Sequence, residues 1–369
     1  MGLLERSSSP VKRAVAGFVK TVTPENWSAL GRLRPMTTAK TTMEDVAARA
    51  GVSRALVSIV FRGVPGASET TRERVLAAAR ELDYQPDTRA RRLGRSRTRT
   101  IGVVFGVGQA FHGDLIEGLY LAADAADYEL VLSGVTRRRA EQTAVRTLLA
   151  ERCEALVLLG SALPPAEMVR LAGQLPVVSV LRPVRAPGVE VVRTDDADGL
   201  RQAVAHLAGL GHTRIVHLDG GRAAGASQRR QGFRTAMRRL APGDQGVEVA
   251  GGLTEDDGAA SATAYLTLPE PRPTAVAAFN DRCALGFIDT VRRAGLRVPD
   301  DVSVVGFDDI ASAAYPHIAL TTVRQDADRL GSLTLERVCA RLDDGETGSR
   351  ELVVPPELVV RGSTAVPTR

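Results

Sequence analysis

The stretch TTMEDVAARAGVSRALVSIVFRG, residues 41–63, predicts two short helices joined by a tight corner. Thr42 is placed to cap the first helix, with Asp45 three residues later in the position that reaches back to the cap. Gly51 supplies a left-handed turn, and Ser53 caps the second helix. A helix, a glycine corner and a second helix with polar residues near its start are typical of a helix-turn-helix.

A third helix is predicted to begin at Ser68 and to complete a small core. Three helices in about 40 residues are near the minimum for a self-supporting core. The apolar spacing assigns the inner faces of the three helices to Val46, Ala47, Ala50, Val57, Val60, Phe61, Val75, Leu76, Ala79 and Leu82. Arg54, Ala55 and Ser58 then point outward, where a helix-turn-helix contacts a DNA major groove. A helical hairpin with no DNA-binding role remains the alternative.

The same stretch resembles the N-terminal signature of the LacI/GalR family of bacterial transcription regulators. The matching residues are Asp45-Val46-Ala47, Ala50-Gly51-Val52-Ser53, Val57-Ser58, and Thr71-Arg72 through Tyr84 and Pro86. The resemblance implies a helix-turn-helix domain over residues 41–86. This sequence departs from the best-known family pattern at Leu56 and Ile59.

The resemblance also implies a set of DNA contacts. Arg54 and Ala55 stand at the positions that read base edges, where Arg54 could fork onto a guanine and Ala55 could touch a thymine methyl. A phosphate contact or solvent exposure is the alternative for Arg54, and Ser53 and Ser68 are also plain helix caps. The predicted DNA-binding residues are Thr42, Ser53, Arg54, Ala55, Ser58, Arg62, Ser68, Thr71, Ala90 and Leu93.

Residues 87–99 are expected to form a hinge helix and linker. Pro86 stops the third helix, Asp87 can cap a short new one, and Gly94 ends it. The family resemblance implies that two such helices pair on DNA, that Leu93 enters the minor groove, and that Ala90 allows close approach of the pair. An apolar wedge flanked by arginines is how many proteins kink a duplex. The alternative is a solvated, arginine-rich linker.

Residues 1–40 are expected to be an N-terminal extension without fixed structure. Residues 1–36 precede the first family-like residue, and Met36 is an alternative start of the chain. A weakly amphipathic basic helix over residues 11–22 is the competing interpretation.

Charge is distributed unevenly along the chain. Residues 37–99 carry thirteen Lys and Arg against seven Asp and Glu, whereas residues 100–369 carry 29 against 34. A basic N-terminal region on an acidic body favours a nucleic-acid partner, because attraction to phosphates supplies most nonspecific affinity. No apolar run approaches the roughly 18 residues of a membrane helix. Cys153, Cys283 and Cys339 suggest no disulfide framework, so we expect a cytoplasmic protein without membrane contact.

From Ile101 onward, short Val/Leu/Ile runs alternate with amphipathic helices. The runs predict buried parallel strands in two series, and therefore two doubly wound α/β halves in tandem over residues 100–369. This arrangement resembles the periplasmic-binding-protein-like core of the same family. The chain is expected to cross between the lobes near Arg193-Thr194 and to return near Thr321-Thr322. The fold class is thus an all-α helix-turn-helix head plus a two-lobed core.

Ligands of such sheets bind at the carboxyl ends of the strands, so the cleft between the lobes is the expected effector site. By the resemblance, the effector-binding residues are Phe111, His112, Arg229, Asn280 and Asp308. An arginine fork, an amide and a carboxylate suit a polyhydroxylated ligand. The alternatives are solvent exposure for Arg229 and a helix cap for Asp308. No cofactor is expected.

Catalysis and metal binding are not indicated by the sequence. The spacings of His206, His212 and His217 fit no metal-ligand pattern, and no nucleophile elbow or kinase-like loop is visible. We therefore expect a DNA-binding transcriptional regulator, most simply a repressor, that binds a palindromic operator as a homodimer. A small, sugar-like effector would control its affinity. The alternatives are a solute-binding or sugar-processing α/β protein, and an architectural DNA binder that needs no effector.

Overall fold

The computed structural model describes residues 41–84, 97–240, 246–343, 345 and 350–368. Contacts between residues divide the chain into two compact units, one ending at Gly94 and the other beginning at Arg95. The described part of the first unit consists of three helices, which are α1 (Met43–Ala50), α2 (Arg54–Arg62) and α3 (Glu69–Glu81).

The predicted local signals of the head are confirmed. The Thr42 hydroxyl and the Asp45 carboxylate form a reciprocal capping box at the start of α1. Gly51 ends α1 with a φ of 64°, and the Ser53 side chain accepts a hydrogen bond from the backbone N–H of Leu56. Val46, Val57 and Val75 are completely buried at the centre of a small core.

One predicted core residue of the head is wrong. Leu76 is 41% exposed, while its neighbour Val75 is fully buried. The two residues lie 100° apart on α3, and only the face that carries Val75, Ala78 and Ala79 points at α1 and α2. Leu76 instead lines a shallow surface groove beside Phe61.

The second unit contains two six-stranded sheets, each flanked by helices. The first sheet has the order β11-β5-β4-β3-β1-β2, and all its strand pairs are parallel. Its strands are β1 (Thr100–Gly106), β2 (Glu129–Val135), β3 (Ala155–Leu159), β4 (Val177–Val180), β5 (Val189–Thr194) and β11 (Glu351–Val354). Its helices are α4 (Ala110–Ala125), α5 (Glu141–Ala150) and α6 (Pro165–Ala172), with α11 (Ala327–Leu342) added from later in the chain.

The second sheet has the order β12-β10-β9-β8-β6-β7 and is parallel except for the antiparallel pair β10–β12. Its strands are β6 (Ile215–Asp219), β7 (Val247–Ala250), β8 (Ala275–Ala278), β9 (Ser303–Asp308), β10 (Thr321–Arg324) and β12 (Glu357–Val359). The flanking helices are α7 (Asp196–Gly209), α8 (Ala226–Leu240), α9 (Glu255–Leu266) and α10 (Asp281–Arg293), with a short 3-10 turn at Ala311–Ala314.

The chain passes between the two lobes three times in the described ranges. It leaves the first sheet after Thr194, as the sequence predicts, and β10 still belongs to the second sheet, so the return follows Arg324. The third passage, between Val354 and Glu357, has no counterpart in the sequence-based expectation. The prediction of two doubly wound α/β lobes is confirmed.

Several predictions concern residues outside the described ranges. These are the extension over residues 1–40 and the hinge residues Ala90 and Leu93. No helix within the described part of the chain is both long and apolar enough to cross a bilayer.

Candidate functional site

The outward face of α2 presents the residues expected to read DNA. Ser53, Arg54 and Ala55 are exposed, and Ser58 is half-buried on the same helix. Arg54 Nε lies 3.2 Å from Glu44 Oε1, an ion pair in which both side chains are about two-thirds exposed. The Arg54 guanidinium is therefore accessible, and its partner Glu44 belongs to α1 of the same head.

Apart from Arg62, the remaining predicted contacts of the head lie at or near helix starts. Thr42 both donates to Asp45 Oδ2 (2.7 Å) and accepts from the Asp45 backbone. Ser68 accepts from the backbone N–H of Thr71, and the hydroxyls of Ser68 and Thr71 are 2.8 Å apart. Arg62 is the last residue of α2. Helix starts offer backbone N–H groups that suit phosphate oxygens. These hydroxyls can therefore cap their own helices and contact a DNA phosphate at the same time.

The second unit contains a cavity of about 540 Å³ at the carboxyl ends of the strands of both sheets. This volume is typical of a small-molecule site. Its walls combine apolar and aromatic side chains with polar groups of both charges. The lining includes Val104, Phe105, Gln109, Phe111, His112, Glu141, Ser161, Arg182, Asp196, Arg222, Arg229, Phe279, Asn280, Asp308 and Gln325. All five predicted effector residues are therefore brought together.

Arg229 is held at the wall of this cavity by charge and by aromatic rings. Its Nε donates to Asp196 Oδ1 at 2.8 Å, and its Nη1 donates to the carbonyl of Phe279 at 2.5 Å. Its guanidinium carbon lies 3.5 Å from the ring centroid of Phe307 and 4.6 Å from that of Phe279. The residue is only 5% exposed, so the solvent-exposed alternative is wrong. The cation–π contacts and the ion pair together fix the plane of the Arg229 guanidinium.

Asp308 ends β9 and forms an ion pair with the remaining Arg229 nitrogen. Its Oδ1 lies 3.7 Å from Arg229 Nη2 and accepts a hydrogen bond from Gln325 Nε2 at 2.7 Å. Burial raises the pKa of Asp308 to about 6, against the opposing effect of Arg229. The cap alternative fails, because Ile310 stands at the start of the following 3-10 turn and no side chain caps it.

Gln325 connects the cavity to both crossing segments. Its Oε1 accepts a hydrogen bond from Thr194 Oγ1 at 2.6 Å, and its Nε2 reaches Asp308. Thr194 is the last residue of β5, immediately before the first passage between the lobes, and Gln325 lies on the second passage. A ligand that changes the position of Asp308 would therefore act on both connections.

Asn280 and Asp281 follow β8 at the start of α10. Asn280 Oδ1 accepts from the backbone N–H of Cys283 at 2.9 Å, while its Nδ2 donates to the carbonyl of Leu253 at 3.2 Å. Asn280 is thus a helix cap as well as a cavity residue. Asp281 is completely buried and accepts from Thr322 Oγ1 and from the Ile310 backbone. Its burial, together with the nearby charge of Asp308, raises the pKa of Asp281 well above its ordinary value.

His112 lines the opposite wall of the cavity, and its neutral ring can donate a hydrogen bond. Its Nδ1 accepts a hydrogen bond from the backbone N–H of Gly106 at 3.0 Å, so the ring proton resides on Nε2. Burial lowers the pKa of His112 to about 4. Phe111 also lines the cavity but packs mainly into the core of the first lobe.

The three histidines considered as metal ligands have separate structural partners. His206 contacts Thr364, His212 contacts Thr274, and His217 Nδ1 contacts the carbonyl of Ala277. Within the described ranges, no group of three or more His, Cys, Asp or Glu side chains is arranged to hold a metal ion.

Sequence reasoning missed several residues of the cavity, including Asp196, Gln325 and Phe279, and it missed Phe307, whose ring stacks on Arg229. Asp196 lies two residues after the end of β5, and Gln325 directly follows β10, so the rule that ligands bind beyond strand ends could have identified them. Phe279 and Phe307 precede the predicted Asn280 and Asp308, and they were assigned only to strands.

Comparison with known proteins identifies the family. Residues 42–87 match the profile "Bacterial regulatory proteins, lacI family", and residues 204–364 match a "Periplasmic binding protein-like domain". The regulator GalR of Escherichia coli (strain K12) is 32% identical over 332 residues, which are 89% of this chain and 96% of GalR. The chain belongs to the LacI family of bacterial transcriptional regulators. The chain is accordingly a DNA-binding regulator and not an enzyme.

Two solved structures of LacI-family regulators extend the comparison. The lac repressor dimer bound to operator and the anti-inducer ONPF has 29% identity and a TM-score of 0.74, over 88% of this chain and 99% of that chain. The transcriptional regulator CelR in complex with cellobiose has 31% identity and a TM-score of 0.65, again over 88% and 99%. The LacI-family likeness thus spans both the helix-turn-helix head and the two-lobed core.

Proposed function

We propose that this LacI-family regulator is a homodimeric repressor whose affinity for a palindromic operator is controlled by a sugar-like effector in the cavity between its lobes. The observation that carries the proposal is the convergence of Arg229, Asn280 and Asp308 on one buried cavity of about 540 Å³. A carboxylate, an amide and a guanidinium that are fixed in place can bind several hydroxyls of one ligand.

The walls of the cavity support a polyhydroxylated ligand over a purely apolar one. Phe105, Phe111 and Phe279 supply flat apolar surface, while His112 Nε2 and the Asp308 carboxylate supply a donor and an acceptor. Sugars present both an apolar ring face and a rim of hydroxyls, and they match this mixture. CelR, which shares the fold at 31% identity, was solved with cellobiose.

Exposed apolar side chains support the homodimer. On the first lobe, Tyr120 and Leu121 of α4 are 41% and 63% exposed, and Leu132 of the edge strand β2 is 37% exposed. On the second lobe, Tyr315 is 51% exposed. A second copy of the chain that packs against these side chains would remove them from water. A two-fold dimer presents two heads, and its symmetry then requires a pseudo-palindromic operator.

The dimer is tested by light scattering coupled to size-exclusion chromatography. Leu121→Asp should give a monomer that binds a palindromic duplex at least tenfold more weakly. The matched control is Val169→Asp on α6, where a 38% exposed valine is replaced on another helix of the same lobe. An unchanged dimer in Leu121→Asp would refute the assignment of this surface.

The effector is tested by thermal unfolding against a panel of monosaccharides and disaccharides that includes D-ribose and cellobiose. A ligand at 100 times its Kd stabilises the native state by about 2.7 kcal/mol. At least one sugar should raise Tm and weaken binding to a duplex selected from a random library. Asp308→Asn should abolish the shift, whereas Asp289→Asn, which removes an exposed carboxylate on α10, should retain it. If every sugar leaves both Tm and DNA binding unchanged, the sugar-like effector is ruled out.

A further inference from the structure

The chain enters the second unit through a tightly bonded arginine. Arg97 donates from Nε and Nη2 to Glu154 Oε2 at 3.1 and 2.9 Å, and from Nη2 to the hydroxyl of Tyr128 at 2.7 Å. Its Nη1 forms a further hydrogen bond and ion pair with Asp343. Every donor nitrogen of the guanidinium is thereby used. Any path from the two lobes to residues 41–84 along the chain must pass through this residue.

Asp343 lies at the end of α11. It is the C-cap residue of this helix, and the hydrogen bond from Arg97 lowers the pKa of the Asp343 carboxyl. At the other end, Asp326 caps the helix and directly follows Gln325, the cavity residue that bonds Asp308 and Thr194. The helix has 16 residues. It therefore spans about 24 Å at 1.5 Å per residue.

The body of α11 is packed in a way that suits a rigid rod. A Cβ at Gly331 would overlap the backbone of Gly118, so α11 and α4 are in direct backbone contact there. Arg337, which is 3% exposed, forms a buried ion pair with Glu190 of β5. Closely packed interiors shift between discrete arrangements and do not deform continuously. Such packing favours movement of the helix as one rigid body.

We infer that α11 transmits the state of the effector cavity to the linker, with Gln325 as the input contact and the Asp343–Arg97 pair as the output contact. Arg97 and Asp343 are positioning residues in this inference. It rests on the proposed control by an effector, and it adds which element carries the signal and where the signal leaves the core. Coupling of this kind is a free-energy relationship between two sites, so it is measured directly by non-additivity.

A purely structural role for the output pair makes a different prediction. The Arg97 and Asp343 side chains are 38% and 39% exposed, and ion pairs that are so exposed to solvent contribute little to stability. Removing the charge of Asp343 should therefore leave the urea midpoint of unfolding nearly unchanged. If Asp343→Asn nevertheless alters how DNA binding responds to a change in the cavity, the cause is coupling between the two sites and not a loss of stability.

The test is a double-mutant cycle read out as the Kd for a duplex selected from a random library. The input variant is Gln325→Ala and the output variant is Asp343→Asn. Glu248→Gln is the matched control background, because it weakens a comparably exposed Arg–carboxylate pair on β7 of the second lobe. Thr194→Val, which removes the hydroxyl that bonds Gln325, is a second input variant in case Gln325→Ala does not fold. No effector is added, so a failure here is distinct from a failure of the sugar panel.

We expect Gln325→Ala or Thr194→Val to change the Kd at least fivefold in the wild-type and Glu248→Gln backgrounds, and less than twofold in Asp343→Asn. Residues more than about 10 Å apart normally combine additively, so a loss of this size across α11 reports transmission. Hydrogen exchange at the amides of residues 97–100 should also respond to the input variant only when Asp343 is intact. An equal change in Kd in all three backgrounds, or no change in any, would overturn the inference.

Discussion

Arg229 donates from Nε to Asp196 Oδ1 at 2.8 Å, and the two side chains are 6% and 3% exposed. Burial raises the pKa of Asp196, while the charge of Arg229 opposes that rise. Asp196 opens α7 directly after the first passage between the lobes, and Arg229 projects from α8. The pair therefore joins the two helices that begin beside the cavity, and it fixes the orientation of the guanidinium that lines the cavity.

Removing the carboxylate of this pair should strongly lower the free energy of unfolding. Asp196→Ala leaves the buried guanidinium without its carboxylate, and loss of one partner of a buried pair costs about 3–5 kcal/mol. Urea unfolding followed by circular dichroism measures the free energy of unfolding. Asp289→Ala, which breaks the exposed pair with Arg293, is the control and should cost no more than about 1 kcal/mol. Equal losses in the two variants would contradict the buried pair's importance.

His112 should make the protein less stable in mild acid. Its pKa in the folded state is about 4, and the ordinary value is 6.5, so between these pH values the unfolded chain binds more protons. Stability therefore falls as pH falls through this window, by about 2 kcal/mol between pH 7.5 and pH 5. His112→Asn retains an acceptor for the Gly106 N–H but cannot titrate.

The measurement is the free energy of unfolding of wild type and His112→Asn at both pH values. The difference between the two proteins should shrink or reverse toward pH 5, because only the wild type loses this contribution. Asp196, Asp281 and Asp308 have raised pKa values and act in the opposite sense in both proteins, so they cancel in the comparison. A difference that does not vary with pH would refute the neutral, buried histidine.

The order of helices and strands could be predicted wherever local sequence carries the signal. The capping box at Thr42, the left-handed Gly51 and the apolar run of β3 are properties of a few adjacent residues. The edge strands β7 and β12 were missed, because each is only three or four residues long, contains an acidic residue and is partly exposed. Their pairing depends on neighbours that are distant in sequence.

The candidate site could be predicted only in part, because some of its contacts join residues that are distant in sequence. Arg229, Asn280 and Asp308 follow from the family resemblance and from their positions at strand or helix ends, and the structure places them on one cavity. The bond between Thr194 and Gln325 joins residues 131 positions apart. Periodicity in a single sequence contains no information about such a pair. Packing of the two crossing segments creates it.

Arg54 should determine one base pair of each operator half-site. The exposed guanidinium can donate two hydrogen bonds to a guanine, and loss of a bidentate contact costs about 1–3 kcal/mol of discrimination. Arg54→Ala should therefore relax the preference at one position in a selection from random duplexes. Ser68→Ala is the comparison, and it should weaken all duplexes equally because a hydroxyl at a helix start contacts phosphate.

Glu44 holds Arg54 in the free head and should compete with DNA for it. Glu44→Gln removes the carboxylate 3.2 Å from Arg54 Nε and one negative charge beside the phosphates. Both effects should tighten duplex binding by a few-fold at low salt, with a smaller gain at high salt because salt screens exposed charges. Fluorescence anisotropy over a salt series measures this. A weaker complex at low salt would show that Glu44 itself serves the interface.

Two glycines in helices of the core should respond oppositely to an added methyl group. Gly286 lies where α10 crosses α9, and a Cβ there would overlap the carbonyl oxygen of Glu255. Gly286→Ala must push the helices apart, at a cost of about 1–3 kcal/mol or more. Gly113 lies within α4 with no atom within 4 Å of the added methyl group. Gly113→Ala should stabilise the protein by about 0.5–1 kcal/mol, because alanine loses less conformational entropy in a helix. The two free energies of unfolding should thus move in opposite directions, and a loss of stability in both variants would show that α4 is more tightly enclosed than the structure indicates.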